Sequence, residues 1–313
     1  MRVTLIYNPN AGNGTLPTPG QLRALICEAG HKVRLQSIKD AGWAKVLKKK
    51  KADVIAIAGG DGTVGKVARR MVGRGVPIAV LPLGTANNIA KTLGIAGKQV
   101  TELIPGWEKA RRMKFDAGCA AGPWGERHFI EGVGIGLFPR MLPEANKNKT
   151  MAHLSDPEVK VAYALQIMRE QLDTSKAMTI SAALDGKDIS GKYLLFEAMN
   201  TTYIGPNLFL APAAAHDSGL LDIVFVAEKD RKKLARYLAK WQAGKLWPPE
   251  LGVARGKRLE IEWTGFPLHL DDKLWPKRGK PRPKPPSMIE IELERGALEF
   301  LVPKEPREKR EKK

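Results

Sequence analysis

Cysteine is scarce in this chain: Cys27 and Cys119 are the only two among 313 residues. Neither belongs to a Cys-x-x-Cys pair, so a disulfide framework and a cysteine-based zinc ribbon are excluded, and a reducing, cytoplasmic setting is expected. The five histidines are scattered, none at i, i+4 to another and none beside a cysteine, which argues against a zinc site. No apolar run approaches the roughly 20 residues a helix needs to span a bilayer. The opening MRVTLIY reads as a strand, with no charged region leading into an apolar leader. Aromatic residues make up 6% of the chain and do not interleave with basic ones as in RNA-binding modules, so no nucleic-acid partner is expected. Two nucleotide signatures are missing as well: Gly-x4-Gly-Lys-Ser/Thr, and Gly-x-Gly-x-x-Gly after the first strand.

Positive charge is abundant. Lys and Arg total 52 against 33 Asp and Glu, a formal net charge of +19, which points to a polyanionic partner such as an anionic membrane surface or phosphorylated ligands. A hydrophobic content of 43% suffices for a packed core, and the length suits two domains. Strands at 2–7, 32–38, 54–58 and 77–81 alternate with helices at 20–30, 41–51, 64–73 and 86–93. That order predicts an α/β domain with a parallel sheet over 1–112. Over 113–295 the segments 127–135, 178–184, 192–199, 220–227, 257–263 and 288–293 read as strands, interrupted by helices at 157–172 and 230–243. This predicts an antiparallel, β-rich second domain. A last strand near 297–302 is expected to return to the first domain, and 303–313 is a basic tail.

Three glycine-rich loops each follow a predicted strand: Asn8-Pro9-Asn10-Ala11-Gly12-Asn13-Gly14, Gly59-Gly60-Asp61-Gly62-Thr63 and Leu83-Gly84-Thr85-Ala86-Asn87-Asn88. Ligands of open parallel sheets bind at the carboxyl ends of the strands. Glycines there let backbone N–H groups approach phosphate oxygens, and the following helix adds its positive end. Thr63 and Thr85 add hydroxyls, and Asp61 adds a carboxylate able to hold Mg²⁺ through water. A single such loop is most often only a tight turn, whereas three in register predict one nucleotide site.

The runs AGGDGTVGKV and PLGTANNIAKTLGI, with NPNAGNG ahead of them, resemble the catalytic domain of diacylglycerol and sphingosine kinases and their bacterial lipid kinase relatives. The resemblance is strong over 1–95 and weaker beyond, where HDSGLLDIVF and LHLDDK carry it. It implies a Rossmann-like domain of the phosphofructokinase and NAD-kinase type followed by a β-sandwich. It also implies transfer of the γ-phosphate of ATP to a hydroxyl of diacylglycerol or a related membrane lipid. ATP would be bound through Asn8, Gly12, Ser37, Gly59, Gly60, Asp61, Gly62, Thr63, Gly84, Thr85 and Asn87. Asp217, the Leu220 carbonyl and Asp222 would hold a structural Mg²⁺. The chain departs from this pattern at three usually acidic positions, Lys66, Asn88 and Lys273. Lys273 stands where the relatives place the glutamate that takes the proton of the lipid hydroxyl, and an ammonium cannot accept one. Asp61, Asp271, Asp272 and Lys273 are therefore the catalytic candidates, with Asp272 or Asp271 as the base and the lysines aiding phosphate binding. A nucleotide- or lipid-binding pseudokinase, and a small-molecule kinase of the NAD kinase type, are the alternatives. The basic loop 273–284, with Trp275 in it, is expected to touch an anionic leaflet from the cytoplasmic side of the inner membrane.

Overall fold

The computed structural model describes the chain apart from residues 12–16, 49–51, 148–153, 155, 246–247, 277–282 and 305–313, and apart from the side chains of 146–147. β1 (Arg2–Tyr7), β2 (Lys32–Ser37), β3 (Val54–Gly59) and β4 (Ile78–Pro82) form a parallel sheet in the order β2-β1-β3-β4. Every residue of β3 is buried, as a strand covered on both faces requires. The helices α1 (Pro19–Glu28) and α2 (Asp61–Met71) connect strands of this sheet, and α3 (Asn88–Thr92) follows β4. α1 starts at Thr18, whose hydroxyl accepts from the Gln21 N–H while the Gln21 side chain accepts from the Thr18 N–H. In α2, Val64, Val67, Ala68 and Met71 fall at i, i+3, i+4 and i+7 and join the core of the sheet. That leaves Lys66, Arg69 and Arg70 off its buried stripe. The helix expected over 41–51 is a short 3-10 turn, Trp43–Lys48.

Beyond β4 the pairing becomes antiparallel. β5 (Arg111–Gly122) runs along one 16-residue strand, Ser287–Val302, with a register shift between Glu294 and Leu298. The same strand pairs parallel with β4 at Phe300 and Ile78, and antiparallel with Leu259–Trp263 nearer its start. The two pieces read at 288–293 and 297–302 are thus one strand that joins both sheets.

Strand Gly191–Met199 lies between Gly132–Gly136 and Leu221–Ala227 and is buried from Tyr193 on. Tyr193, Phe196 and Ala198 face one core. Leu194, Leu195 and Met199 face another, covered by helices Leu137–Lys147, Pro157–Thr174 and Arg231–Gln242. Each of the Leu, Met and Phe side chains stabilises the fold by about 1.5–3 kcal/mol on burial. The strand expected over 127–135 is two, Gly125–Phe129 and Gly132–Gly136, because the N–H groups of Ile130 and Glu131 turn away to a carboxylate described below.

Candidate active site

The three glycine-rich loops meet. A Cβ on Gly84 would lie 2.2 Å from the Gly60 Cα, and one on Gly60 would lie 2.8 Å from the Gly84 Cα, so the second and third loops touch backbone to backbone as only glycine permits. The Leu83 N–H donates to the Gly59 carbonyl at 3.1 Å. The first loop joins through Asn8, whose Nδ2 donates to Thr63 Oγ1 at 3.3 Å. Together they floor a cleft of about 750 Å³ lined by Asn8, Gly60, Asp61, Gly62, Thr63 and Thr85. The first turn of α2 opens onto it, bringing the positive end of that helix. Asp61 Oδ1 accepts from the Ile89 N–H at 3.0 Å, tying the second loop to α3. Burial raises the Asp61 pKa against the pull of these backbone donors.

Several expected ligands serve the loops instead. The Ser37 hydroxyl is buried and accepts from the Lys39 N–H at 3.1 Å, while Ile38 and Lys39 reach the cleft in its place. Gly59 ends β3 and clears the Thr63 side chain, which a Cβ would meet at 2.8 Å. Asn87 adopts a left-handed φ of 53°, and its amide exchanges hydrogen bonds with the Gly84 backbone at 3.0 and 2.9 Å, so it closes the turn. Gly12 lies outside the described residues.

The Asp271-Asp272-Lys273 segment divides its tasks. Asp271 has φ 49°, and its carboxylate accepts from the N–H groups of Ile130 and Glu131 at 2.9 and 2.8 Å and pairs with Arg69. So occupied, it positions its neighbours and is not free to act as a base, which corrects the catalytic expectation for Asp271. Asp272 faces the cleft. A Cβ on Gly62 would lie 3.4 Å from Asp272 Oδ2, so this carboxylate stands over the start of α2. Its Oδ1 is buried without a hydrogen-bond partner among the described residues, with Arg69 at 3.6 Å. Lys273, exposed at the rim, pairs with Asp272 Oδ2.

Behind the cleft, Glu131 is fully enclosed. Burial, and then Asp61 and Asp271, push its pKa well up, and Asn88 Nδ2 donates to its Oε1 at 3.0 Å. His269 bridges the buried Glu197, 2.8 Å from Nε2, and the Asp271 carbonyl, 2.8 Å from Nδ1. It is a buried brace and does not line the cleft. Gly134 makes room for that pair: a Cβ there would strike the Glu197 carboxylate at 1.9 Å. Within the glycine run 132–136, Gly134 therefore serves this brace.

The structural Mg²⁺ expected at Asp217, Leu220 and Asp222 does not fit. Asp222 is buried and ion-paired with Arg255 at 2.8 Å, the Leu220 carbonyl accepts from the Ser218 hydroxyl at 3.4 Å, and Asp217 is exposed. Arg255 already supplies the positive charge that a metal would bring. The fixed carboxylate of this corner is instead Asp116, which accepts from the N–H groups of Gly219 and Gly296 at 2.7 Å each. Elsewhere, Cys119, His128 and Glu294 converge from three strands, a proximity hidden by their separation in sequence. Trp275 packs at a tilt against Trp124 and Trp263, with ring centroids 3.9 and 4.8 Å away, so it packs inward. Lys277, Arg278, Lys280 and Arg282 of the basic loop lie outside the described residues.

Sequence reasoning missed Lys39, Lys160 and Arg69. Lys160 comes from helix Pro157–Thr174 of the second half and lines the cleft with no motif around it. Arg69 was within reach, since it sits one helical turn after Lys66 on the open side of α2.

The diacylglycerol kinase catalytic domain family matches residues 2–120, and the YegS C-terminal NAD kinase beta sandwich-like domain family matches residues 143–292. A diacylglycerol kinase of Mycobacterium tuberculosis is 25% identical over 231 residues, covering 71% of this chain and 71% of that protein. A diacylglycerol kinase of Bacillus subtilis is 26% identical over 243 residues, covering 75% of this chain and 77% of that protein. The crystal structure of a diacylglycerol kinase from Bacillus anthracis superposes with a TM-score of 0.70 at 23% identity, over 96% of both chains, and shares the fold.

Proposed function

We propose, from the premise that this chain belongs to the bacterial lipid kinase family, that it transfers the γ-phosphate of ATP to a hydroxyl of diacylglycerol or a related membrane lipid. One observation carries the reading: three glycine-rich loops floor a single cleft, and the Asp272 carboxylate from the other half of the chain stands over it. The nucleotide phosphates meet the N–H groups at the start of α2 and the cations Lys39, Lys66 and Lys160. The acceptor hydroxyl approaches Asp272, which takes its proton as the oxygen bonds to the γ-phosphorus and the bond to ADP breaks. Arg69 and Asp271 hold Asp272 in position. Lys273 cannot take that proton, but its ammonium adds to the positive charge around the transferring group. Asp61 fits a Mg²⁺: it is a hard oxygen donor on the phosphate side of the cleft, and a cation would relieve the burial that raises its pKa. Bound there, the ion would neutralise phosphate charge.

The test is γ-phosphate transfer from labelled ATP·Mg²⁺ to lipids in mixed micelles. Asp272→Asn is expected to lower kcat about 10²–10⁴-fold, the usual worth of a general base, while KM for ATP changes little. Asp61→Ala is expected to abolish transfer. ATP binding without transfer to any lipid would sink the kinase reading and favour a nucleotide-binding pseudokinase.

A further inference from the structure

Beside the nucleotide cleft lies a second cavity of about 760 Å³. Lys66 and Lys273 line both, so the two share that wall. Part of the second cavity is apolar, formed by Leu270, Leu274, Trp275 and Pro276, with Trp275 seated on Trp124 and Trp263. Much of the rest is basic. Arg69 is neutralised by Asp271 and Asp272, and Lys273 leans on Asp272. Lys66, Arg70 and Arg127 have no carboxylate within ion-pair distance among the described residues. The acidic and titratable groups facing them are Glu126, which lines the same cavity, and His128, which is held by Glu294.

Lys66 and Arg70 both face the ring of Trp43, at 5.3 and 5.1 Å. Burial, then Arg70, Lys273 and Lys39, lower the Lys66 pKa, with only Asp272 opposing. Like charges crowded in this way are relieved by an anion. The nucleotide is not that anion for Arg70 and Arg127, because both line the second cavity and neither lines the first.

We propose that this cavity receives the acceptor, and that the acceptor is a lipid carrying a phosphate ester beside its free hydroxyl. The inference rests on the lipid kinase reading above and narrows its substrate class. The phosphate ester lies on Arg70, Arg127 and Lys66, and the acyl chains lie along Leu274 and Trp275. The hydroxyl passes between Lys66 and Lys273 to Asp272. A neutral diacylglycerol fills the apolar part and leaves Arg70 and Arg127 without an anion.

The experiment compares phosphatidylglycerol with diacylglycerol as acceptors of labelled phosphate, at equal mole fraction in neutral detergent micelles. The diacylglycerol arm also contains phosphatidylmethanol, an anionic lipid without a free hydroxyl, at the mole fraction that phosphatidylglycerol has in the other arm, so that surface charge is equal. The expected result is a kcat/KM at least about tenfold higher for phosphatidylglycerol, the worth of one charge-assisted contact. Arg70→Ala and Arg127→Ala are each expected to lower the ratio of the two kcat/KM values severalfold, with the fold checked by thermal melting. Equal or better use of diacylglycerol, or a ratio that neither variant moves, would overturn the inference while leaving the kinase reading intact. Transfer to neither lipid would instead remove the kinase reading on which it stands.

Discussion

Asn88 stands where carboxylates already compete. Asp61 and Glu131 are both enclosed beside it, and the pKa of each is raised chiefly by burial. The sequence marks Asn88 as a departure from the family pattern, but nothing in the sequence shows Glu131, which is 43 residues away and carries the complementary group. The amide donates one hydrogen bond to Glu131 and adds no charge, which an aspartate could not do. Because the folded-state pKa of Glu131 lies above its unfolded value, its contribution to stability is full below about pH 4.3, the unfolded value. It is lost as pH rises through the folded value. Glu131→Gln removes this titration, so the stability of the variant relative to the wild type is expected to rise with pH in urea unfolding between pH 5 and 8. Asn88→Asp is expected to cost about 1–3 kcal/mol at neutral pH, since it deletes the donor and adds a like charge. A gap between Glu131→Gln and wild type that stays constant with pH would show that Glu131 does not titrate in this window.

Strands Leu221–Ala227 and Gly252–Gly256 pair antiparallel with Asp222 directly opposite Arg255. The Arg255 Nε and guanidinium N–H groups reach Asp222 Oδ1 at 3.1 and 2.8 Å, so an organic cation fixes this corner of the second half. Removing Arg255 leaves a buried carboxylate alone. Arg255→Ala is expected to cost about 2 kcal/mol, below the usual value for a broken buried pair because the Arg255 side chain is 37% exposed. Chelation is expected to leave the wild-type Tm unchanged in the absence of nucleotide, and a fall in Tm with EDTA would restore a metal to this corner. The motif Asp217-x-x-Leu220-x-Asp222 is plain in the sequence. Its meaning turns on a residue 33 positions further on, whose approach depends on strand pairing that no local pattern announces. The parallel sheet and its loops are legible for the opposite reason, since each strand, glycine turn and helix start there is encoded within a few consecutive residues. β5 escaped the same reading because it finds its partner across the whole chain, in Ser287–Val302.

The cleft itself belongs to the molecule and not to either half. Asp272 and Gly62 meet although they are 210 positions apart, and the Ser287–Val302 strand holds the halves together through β4, β5 and Leu259–Trp263. No helix of the described residues is long and apolar enough to cross a membrane. For a lipid acceptor of the kind proposed, the net charge of +19 decides which membrane surfaces are favourable. Each basic residue near an anionic leaflet contributes about 1 kcal/mol, within a screening length of ~10 Å at 0.1 M salt and ~3 Å at 1 M. The protein is therefore expected to co-sediment with vesicles containing anionic lipid and not with neutral ones, and to be released as NaCl approaches about 1 M. Deleting residues 303–313 is expected to change this little, because Glu305, Glu308 and Glu311 interleave with the cations of that tail. Retention at high salt would mean that apolar insertion dominates, and the charge would then matter for choosing the acceptor rather than for finding the membrane.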